Sequence, residues 1–161
     1  MMTIQTVKAV ETQTLSNADG FVIGSTILTL EGEMPVEFLT PGDRVITRDS
    51  GMAVLMGIEA IEIETDMVWV MGGSLGHNKP DGDTLLPANQ HILLRDWRAE
   101  ALAGASQAFA PAAALIDGEF IRDAGRKTVT LYKLTFDAPH ILYVDGLELS
   151  CEMHGAQKQA A

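Results

Sequence analysis

The rest of the chain is organised around residues 132–151, which read YKLTFDAPHILYVDGLELSC. Two short apolar strands are separated by Asp137-Ala138-Pro139-His140, and a tight Asp145-Gly146 turn follows. An acid and a histidine three residues apart, on a corner stiffened by proline, could carry out proton transfer. The same residues could equally form an ordinary hairpin corner, so the rest of the chain has to decide between these interpretations.

Composition places the chain among single globular domains. It has 161 residues, of which 47% are hydrophobic and 20% charged, enough to bury one core. The formal net charge of -11 makes an acidic surface that repels phosphate backbones, so we expect no nucleic-acid partner. The acidity itself is typical of a soluble surface.

Cysteine usage and hydropathy exclude several further classes. The one cysteine, Cys151, excludes an internal disulfide framework and a cysteine-rich zinc site. No apolar run is long enough to span a bilayer, and the N-terminus lacks the apolar core of a signal peptide. The sequence therefore predicts no membrane span, and it leaves a cytoplasmic and a non-classically exported location open.

Short strands joined by Gly, Asp and Pro turns recur along the chain, which predicts an all-β domain. The alanine-rich region from Trp97 to Ala114 is the predicted helical insert, in two pieces interrupted at Gly104 and Pro111. The predicted organisation is an extended N-terminal arm at 1–19, a β domain at 20–151 and a flexible tail at 152–161.

Four histidines are candidates for chemistry. His77 lies in a polar loop that matches no standard zinc or calcium spacing, and His154 lies in the tail, so we predict no metal and no cofactor. His91 and His140 each begin an apolar segment just after a turn, where side chains from distant strands can converge. On sequence alone, each could be a hydrogen-bonded core histidine or a proton-transfer group.

Several stretches, in the same order and spacing, resemble the Hint domain of hedgehog autoprocessing domains and inteins, in its bacterial stand-alone branch. The resemblance covers about residues 20–151. It implies a horseshoe of short strands with pseudo-two-fold symmetry, in which the first and last strands meet at the site. The stretches that carry it are FVIGSTI at 21–27, EMPVEFLTPGDRV at 33–45, ANQH at 88–91, PAAAL at 111–115 and the quoted residues 132–151.

The resemblance implies that the groups forming covalent bonds are missing. The family's first residue is a Cys or Ser nucleophile, and here that position is Gly20. A threonine of the second motif falls at Ala88, which removes an assisting hydroxyl. The closing His-Asn pair of inteins falls at Ser150 and Cys151, neither of which can form a succinimide.

Three other motif positions are kept. His91 matches the residue that in the family protonates the scissile amide nitrogen, and Asp137 and His140 match the third motif. Acid–base assistance by such groups gives roughly 10²–10⁴-fold acceleration, against about 10⁶-fold or more for most enzymes. We therefore expect a degenerate module without efficient self-splicing or self-cleavage, for which a protein partner stays open.

Two alternatives stay open at this point. One is an autoprocessing protein that cleaves or rearranges the peptide bond near Asp19-Gly20 with Ser25, Cys151 or an activated water as nucleophile. Cys151 has no adjacent base in the sequence and could equally be an inert, half-buried thiol. The other is an unrelated all-β ligand-binding barrel lined by some of the eight methionines, which more often fill gaps in a core.

Overall fold

The fold consists mainly of twelve antiparallel strands in a computed structural model that describes residues 20–152. In several of these strands, buried and exposed side chains alternate. The predicted arm at 1–19 and the tail beyond residue 152 lie outside the described residues. The strands are β1 Phe21–Val22, β2 Thr26–Thr29, β3 Gly32–Pro35, β4 Arg44–Thr47, β5 Gly51–Val54, β6 Gly57–Val70, β7 Thr84–Pro87, β8 His91–Leu94, β9 Ala108–Pro111, β10 Ile121–Thr135, β11 His140–Val144 and β12 Leu147–Cys151. The helical elements are α1 Trp97–Ala103 and two 3₁₀ turns, Val36–Phe38 and Ala112–Leu115.

The strands form two sheets. The smaller sheet has the order β1-β10-β6-β7, and the larger has the order β3-β2-β4-β11-β12-β8-β9, with β5 paired to β4. The long strands β6 and β10 form a ribbon whose exposed part extends away from the core, while its ends contribute Val70, Ile121 and Leu134 to it. The predicted all-β fold with a small helical insert is thus confirmed. No helix within residues 20–152 is long and apolar enough to cross a bilayer.

The helical insert is shorter than predicted. Helix α1 begins at the N-cap Asp96, whose side chain accepts a hydrogen bond from the Arg98 amide at 3.0 Å, and it ends at Gly104 with φ +67°. Residues 108–111 are strand β9, paired with β8, although their alanines favour helix. Sheet pairing outweighs the small intrinsic preference of alanine here, so the second predicted helical piece is wrong except for one 3₁₀ turn.

The Asp145-Gly146 turn joins distant parts of the chain. Asp145, at φ +53°, accepts hydrogen bonds from the amide and hydroxyl of Thr26 at 2.9 and 2.8 Å and from the Thr84 hydroxyl at 3.0 Å. Its carbonyl accepts from the Asp81 amide at 3.0 Å. The turn therefore ties β2, β7 and the 72–83 loop to the closing hairpin, which explains why this stretch organises the fold.

Candidate functional site

His140 is held in a defined orientation at the start of β11. Its Nδ1 lies 2.8 Å from Asp49 Oδ2, and its Nε2 lies 3.4 Å from Asp137 Oδ1. The Phe136 ring meets the imidazole edge to face at 5.6 Å, and only 9% of the histidine side chain is exposed. With a proton on Nδ1, the imidazole donates to Asp49 and leaves Nε2 as the basic nitrogen. A carboxylate that orients a histidine in this way is a common device of proton-transfer sites.

Asp49 is itself fixed by the strand that carries His140. Its Oδ1 accepts a hydrogen bond from the Ile141 amide at 2.9 Å. Burial alone would raise the pKa of Asp49, but the hydrogen bonds from the Ile141 amide and from His140 outweigh it and hold the pKa below its ordinary value of 3.8. The carboxylate is therefore ionised at neutral pH and available to stabilise a charged imidazole.

His91 lies on the other side of the same cavity. Its Nδ1 is 2.9 Å from the carbonyl oxygen of Asn89, and the ring is exposed. A cavity of about 300 Å³ brings both predicted histidines together, and its surface is mainly apolar. The residues that line it are Asp49, His91, Phe109, Pro139, His140, Ile141, Ser150 and Glu152.

The two ends of the described domain lie along one edge of β10. A Cβ atom on Gly20 would lie 3.1 Å from the carbonyl oxygen of Tyr132, and the Cys151 thiol donates to the carbonyl of Leu134 at 3.5 Å. Carbonyls two residues apart on a strand point the same way and are separated by roughly 7 Å. Gly20 and Cys151 are therefore near neighbours, although neither is among the residues that line the histidine cavity.

Cys151 and His140 are directly paired in the register of β11 and β12. Residues directly opposite each other in an antiparallel pair place their side chains on the same face, with Cβ atoms roughly 5 Å apart. The thiol is 4% exposed, whereas the imidazole reaches the cavity. The strand register therefore places a histidine opposite Cys151, although the thiol itself donates to the Leu134 carbonyl.

The remaining predicted positions are structural in their contacts. Ala88 is half-buried against the core, and its amide donates to the Asp66 carbonyl at 2.9 Å. Ser25 is 7% exposed and follows the end of β1. The Ser150 carbonyl accepts a hydrogen bond from the buried Gln90 side chain at 2.9 Å, which links β12 to the segment before β8. Within residues 20–152, no group of three or more His, Cys, Asp or Glu side chains is arranged to hold a metal ion.

Sequence reasoning missed Asp49 and Phe109, which contribute the fixed carboxylate and an exposed aromatic ring to the cavity. Asp49-Ser50-Gly51 reads locally as a hairpin corner, which it also is. The contact between Asp49 and His140 spans 91 positions, so no local sequence pattern indicates it. An acid in a turn immediately after an apolar strand is the one signal that could have drawn attention to it.

Comparisons with known proteins agree with this architecture. A family model described as Hint domain matches residues 19–155. A DnaB intein from Synechocystis sp. PCC 6803 superposes with a TM-score of 0.59 at 11% identity, over 84% of this chain and 100% of that chain. The bacterial intein-like domain from Clostridium thermocellum gives 0.53 at 17% identity, over 84% and 99%. The gp41-1 intein gives 0.54 at 9% identity, over 82% and 98%. No curated protein sequence matches the chain significantly.

Proposed function

The chain belongs to the Hint domain family, and from that premise we propose that it is a degenerate member. In this proposal it keeps the family fold and a histidine-lined cavity but carries out no efficient self-splicing or self-cleavage. The cavity then serves as a binding site for a protein segment, since apolar side chains and two imidazoles line it. The observation that carries the proposal is the backbone at Gly20.

Gly20 has φ +130°, a conformation that L side chains rarely adopt. A side chain at this position would also begin 3.1 Å from the Tyr132 carbonyl oxygen, closer than most Cβ contacts. A cysteine or serine nucleophile at residue 20 would therefore need a shift of β1 against β10. Without a nucleophile, acyl transfer loses its covalent route, and the histidines can contribute only acid–base assistance.

Intact-mass measurement of the full chain tests the proposal. We expect a single unchanged mass after several days at pH 7 with and without dithiothreitol. Gly20→Cys supplies the missing thiol, and we expect it to lower thermal stability without releasing a fragment ending at residue 19. Release of that fragment from the unmodified chain, and its loss in His91→Ala, would overturn the proposal. A fragment that persists in His91→Ala indicates spontaneous breakage at Asp19-Gly20 and leaves the proposal standing.

A second candidate function is cleavage or rearrangement at Asp19-Gly20 with Cys151 as the nucleophile. The observation that favours it is the cross-strand pairing of Cys151 with His140, whose Nδ1 is held by Asp49. The thiol proton would pass to His140 Nε2 and the sulfur would bond to the Asp19 carbonyl carbon. The C–N bond would then break as the Gly20 nitrogen takes up a proton. The burial of Cys151 and its hydrogen bond to Leu134 make this the second candidate.

Cys151→Ala separates the two candidates. In the second candidate, dithiothreitol releases residues 1–19 from the unmodified chain, because it cleaves the thioester, and Cys151→Ala abolishes that release. If neither protein releases the fragment, only the degenerate module remains.

A further inference from the structure

Glu148, the second residue of β12, is a buried carboxylate that forms ionic contacts with three positive side chains. Its side chain is 5% exposed, and its Oε2 lies 2.7 Å from Arg95 Nη2 and 3.9 Å from Lys79 Nζ. Its Oε1 lies 3.4 Å from Arg48 Nε, an ionic contact without an aligned hydrogen bond. Three cations therefore share one counter-charge, although the whole chain carries a net charge of -11.

Asp96 is the second carboxylate of the cavity beside this cluster, and it pairs with Arg98 at 2.7 Å and caps helix α1. Glu148 is therefore the shared ionic partner of Arg48, Lys79 and Arg95. Arg95 is 42% exposed and uses one of its five N–H donors on Glu148. A fixed guanidinium with free donors is the group that proteins use to bind carboxylates and phosphates.

A cavity of about 320 Å³ opens beside the cluster. Its charged lining residues are Lys79, Arg95, Asp96 and Glu148, and leucine and isoleucine side chains from β8, β12 and the 72–83 loop form its apolar wall. The apolar residues are Leu75, Ile92, Leu93, Leu94 and Leu147. This cavity shares no lining residue with the histidine cavity, so it is a separate site.

We propose that this cavity binds an amphiphilic anion, a carboxylate or phosphate group attached to a short apolar body. The anionic group contacts Arg95 and Lys79, and the apolar body lies against the leucines and Ile92. Glu148 holds the two cations in place before the ligand arrives, which reduces the side-chain entropy lost on binding. The ammonium group of a cationic ligand would instead meet the like charges of Arg95 and Lys79 and be repelled.

Isothermal titration calorimetry on the full chain, in phosphate-free buffer at low salt, tests the proposal. The probes are octanoate, octyl phosphate and octylammonium, which share the apolar body and differ in charge. We expect at least one of the two anions to saturate a single site, with the tighter one identifying the headgroup, and octylammonium not to bind. Rising sodium chloride weakens the anion's affinity, because salt screens partly exposed charges. Absence of saturable binding by both anions, or equal binding of octylammonium, overturns the proposal.

Matched variants locate the site. Lys79→Gln/Arg95→Gln removes the two cations that face the cavity, and loss of charged hydrogen bonds lowers the anion's affinity about tenfold or more. Arg126→Gln removes an equal kind of charge on the exposed ribbon, where its partner is Asp66 at 3.3 Å, and leaves the affinity unchanged. An unchanged affinity in the double variant, or an equal loss in Arg126→Gln, refutes the assignment. If the double variant does not fold, the comparison of charged probes on the unmodified chain still decides.

Discussion

Replacement of Gly146 by alanine tests whether the closing turn is the point at which the fold is joined. Gly146 has φ +84°, and a Cβ atom there would lie 2.6 Å from the Asn78 carbonyl oxygen and 2.9 Å from the Asp81 amide nitrogen. Both atoms belong to the backbone of the 72–83 loop, so no side-chain rotation can relieve the contact. The loop or the turn must move, and the five hydrogen bonds that link Asp145 to Thr26, Thr84 and Asp81 lie next to it.

The expected destabilisation has two parts. A non-glycine residue in the left-handed region costs about 1–2 kcal/mol. Overlap with well-packed neighbours costs a further 1–3 kcal/mol or so. We therefore expect Gly146→Ala to lower the free energy of unfolding by roughly 2–5 kcal/mol. For a domain of this size that corresponds to a fall in Tm of about 4–20 °C.

Gly118→Ala is the matched control, because Gly118 has φ +83° and no atom within 4 Å of the added Cβ. The destabilisation caused by Gly118→Ala therefore measures only the cost of the left-handed backbone conformation. Urea unfolding of both variants and the unmodified chain, followed by circular dichroism, gives the two free energies. The difference between the variants measures the contact between the turn and the loop. Equal destabilisation by the two substitutions would show that the 72–83 loop does not pack closely against Gly146. The turn would then not be the point at which the fold is joined.

Three further predictions concern the two sites. The carboxylate of Asp49 has a lowered pKa in the folded chain, so its stabilising contribution is complete above pH 4 or so and is lost as the pH falls through the folded pKa. The stability difference between the unmodified chain and Asp49→Asn, measured by urea unfolding, therefore shrinks toward pH 3, and a difference independent of pH contradicts this. Glu148→Gln removes the counter-charge of three partly exposed cations and lowers the unfolding free energy by about 1.5–3 kcal/mol, the range for a hydrogen bond to a charged group. Asp66→Asn, which breaks the exposed ion pair with Arg126, changes the unfolding free energy by less than about 1 kcal/mol. Equal losses in the two variants would show that the burial of Glu148 adds nothing to its ion pairs. The thiol of Cys151, at 4% exposure, reacts with N-ethylmaleimide at least tenfold more slowly in the native chain than in urea, and equal rates would exclude the buried environment.

The Hint family and its fold explain why two imidazoles lie together, but the contacts around them decide what they can do. The His140 ring is oriented by Asp49 and lines the cavity, and the residue pairs across the sheet with Cys151. In a processing domain such a histidine would serve a nucleophile at residue 20. Here that position is a glycine at φ +130°, which L side chains rarely adopt, and in the degenerate module that we propose the histidines contribute binding and polarisation.

Elements that depend on neighbours along the chain were predictable from the residues alone. The all-β class, the strand starts at His91 and His140 and the Asp145-Gly146 turn follow from alternation, proline and turn residues, whose preferences act within a few positions. The predicted helical region from Trp97 to Ala114 failed at residues 108–111, because alanines carry only a weak helix preference and pairing with β8 overrides it.

Contacts between distant side chains became apparent only from the folded structure. The contact of Asp49 with His140 spans 91 positions, and the cluster around Glu148 joins β12 to the 72–83 loop and to the segments that follow β4 and β8. Such contacts depend on how two sheets pack and which strands become neighbours. A residue's own sequence surroundings therefore carry no information about them.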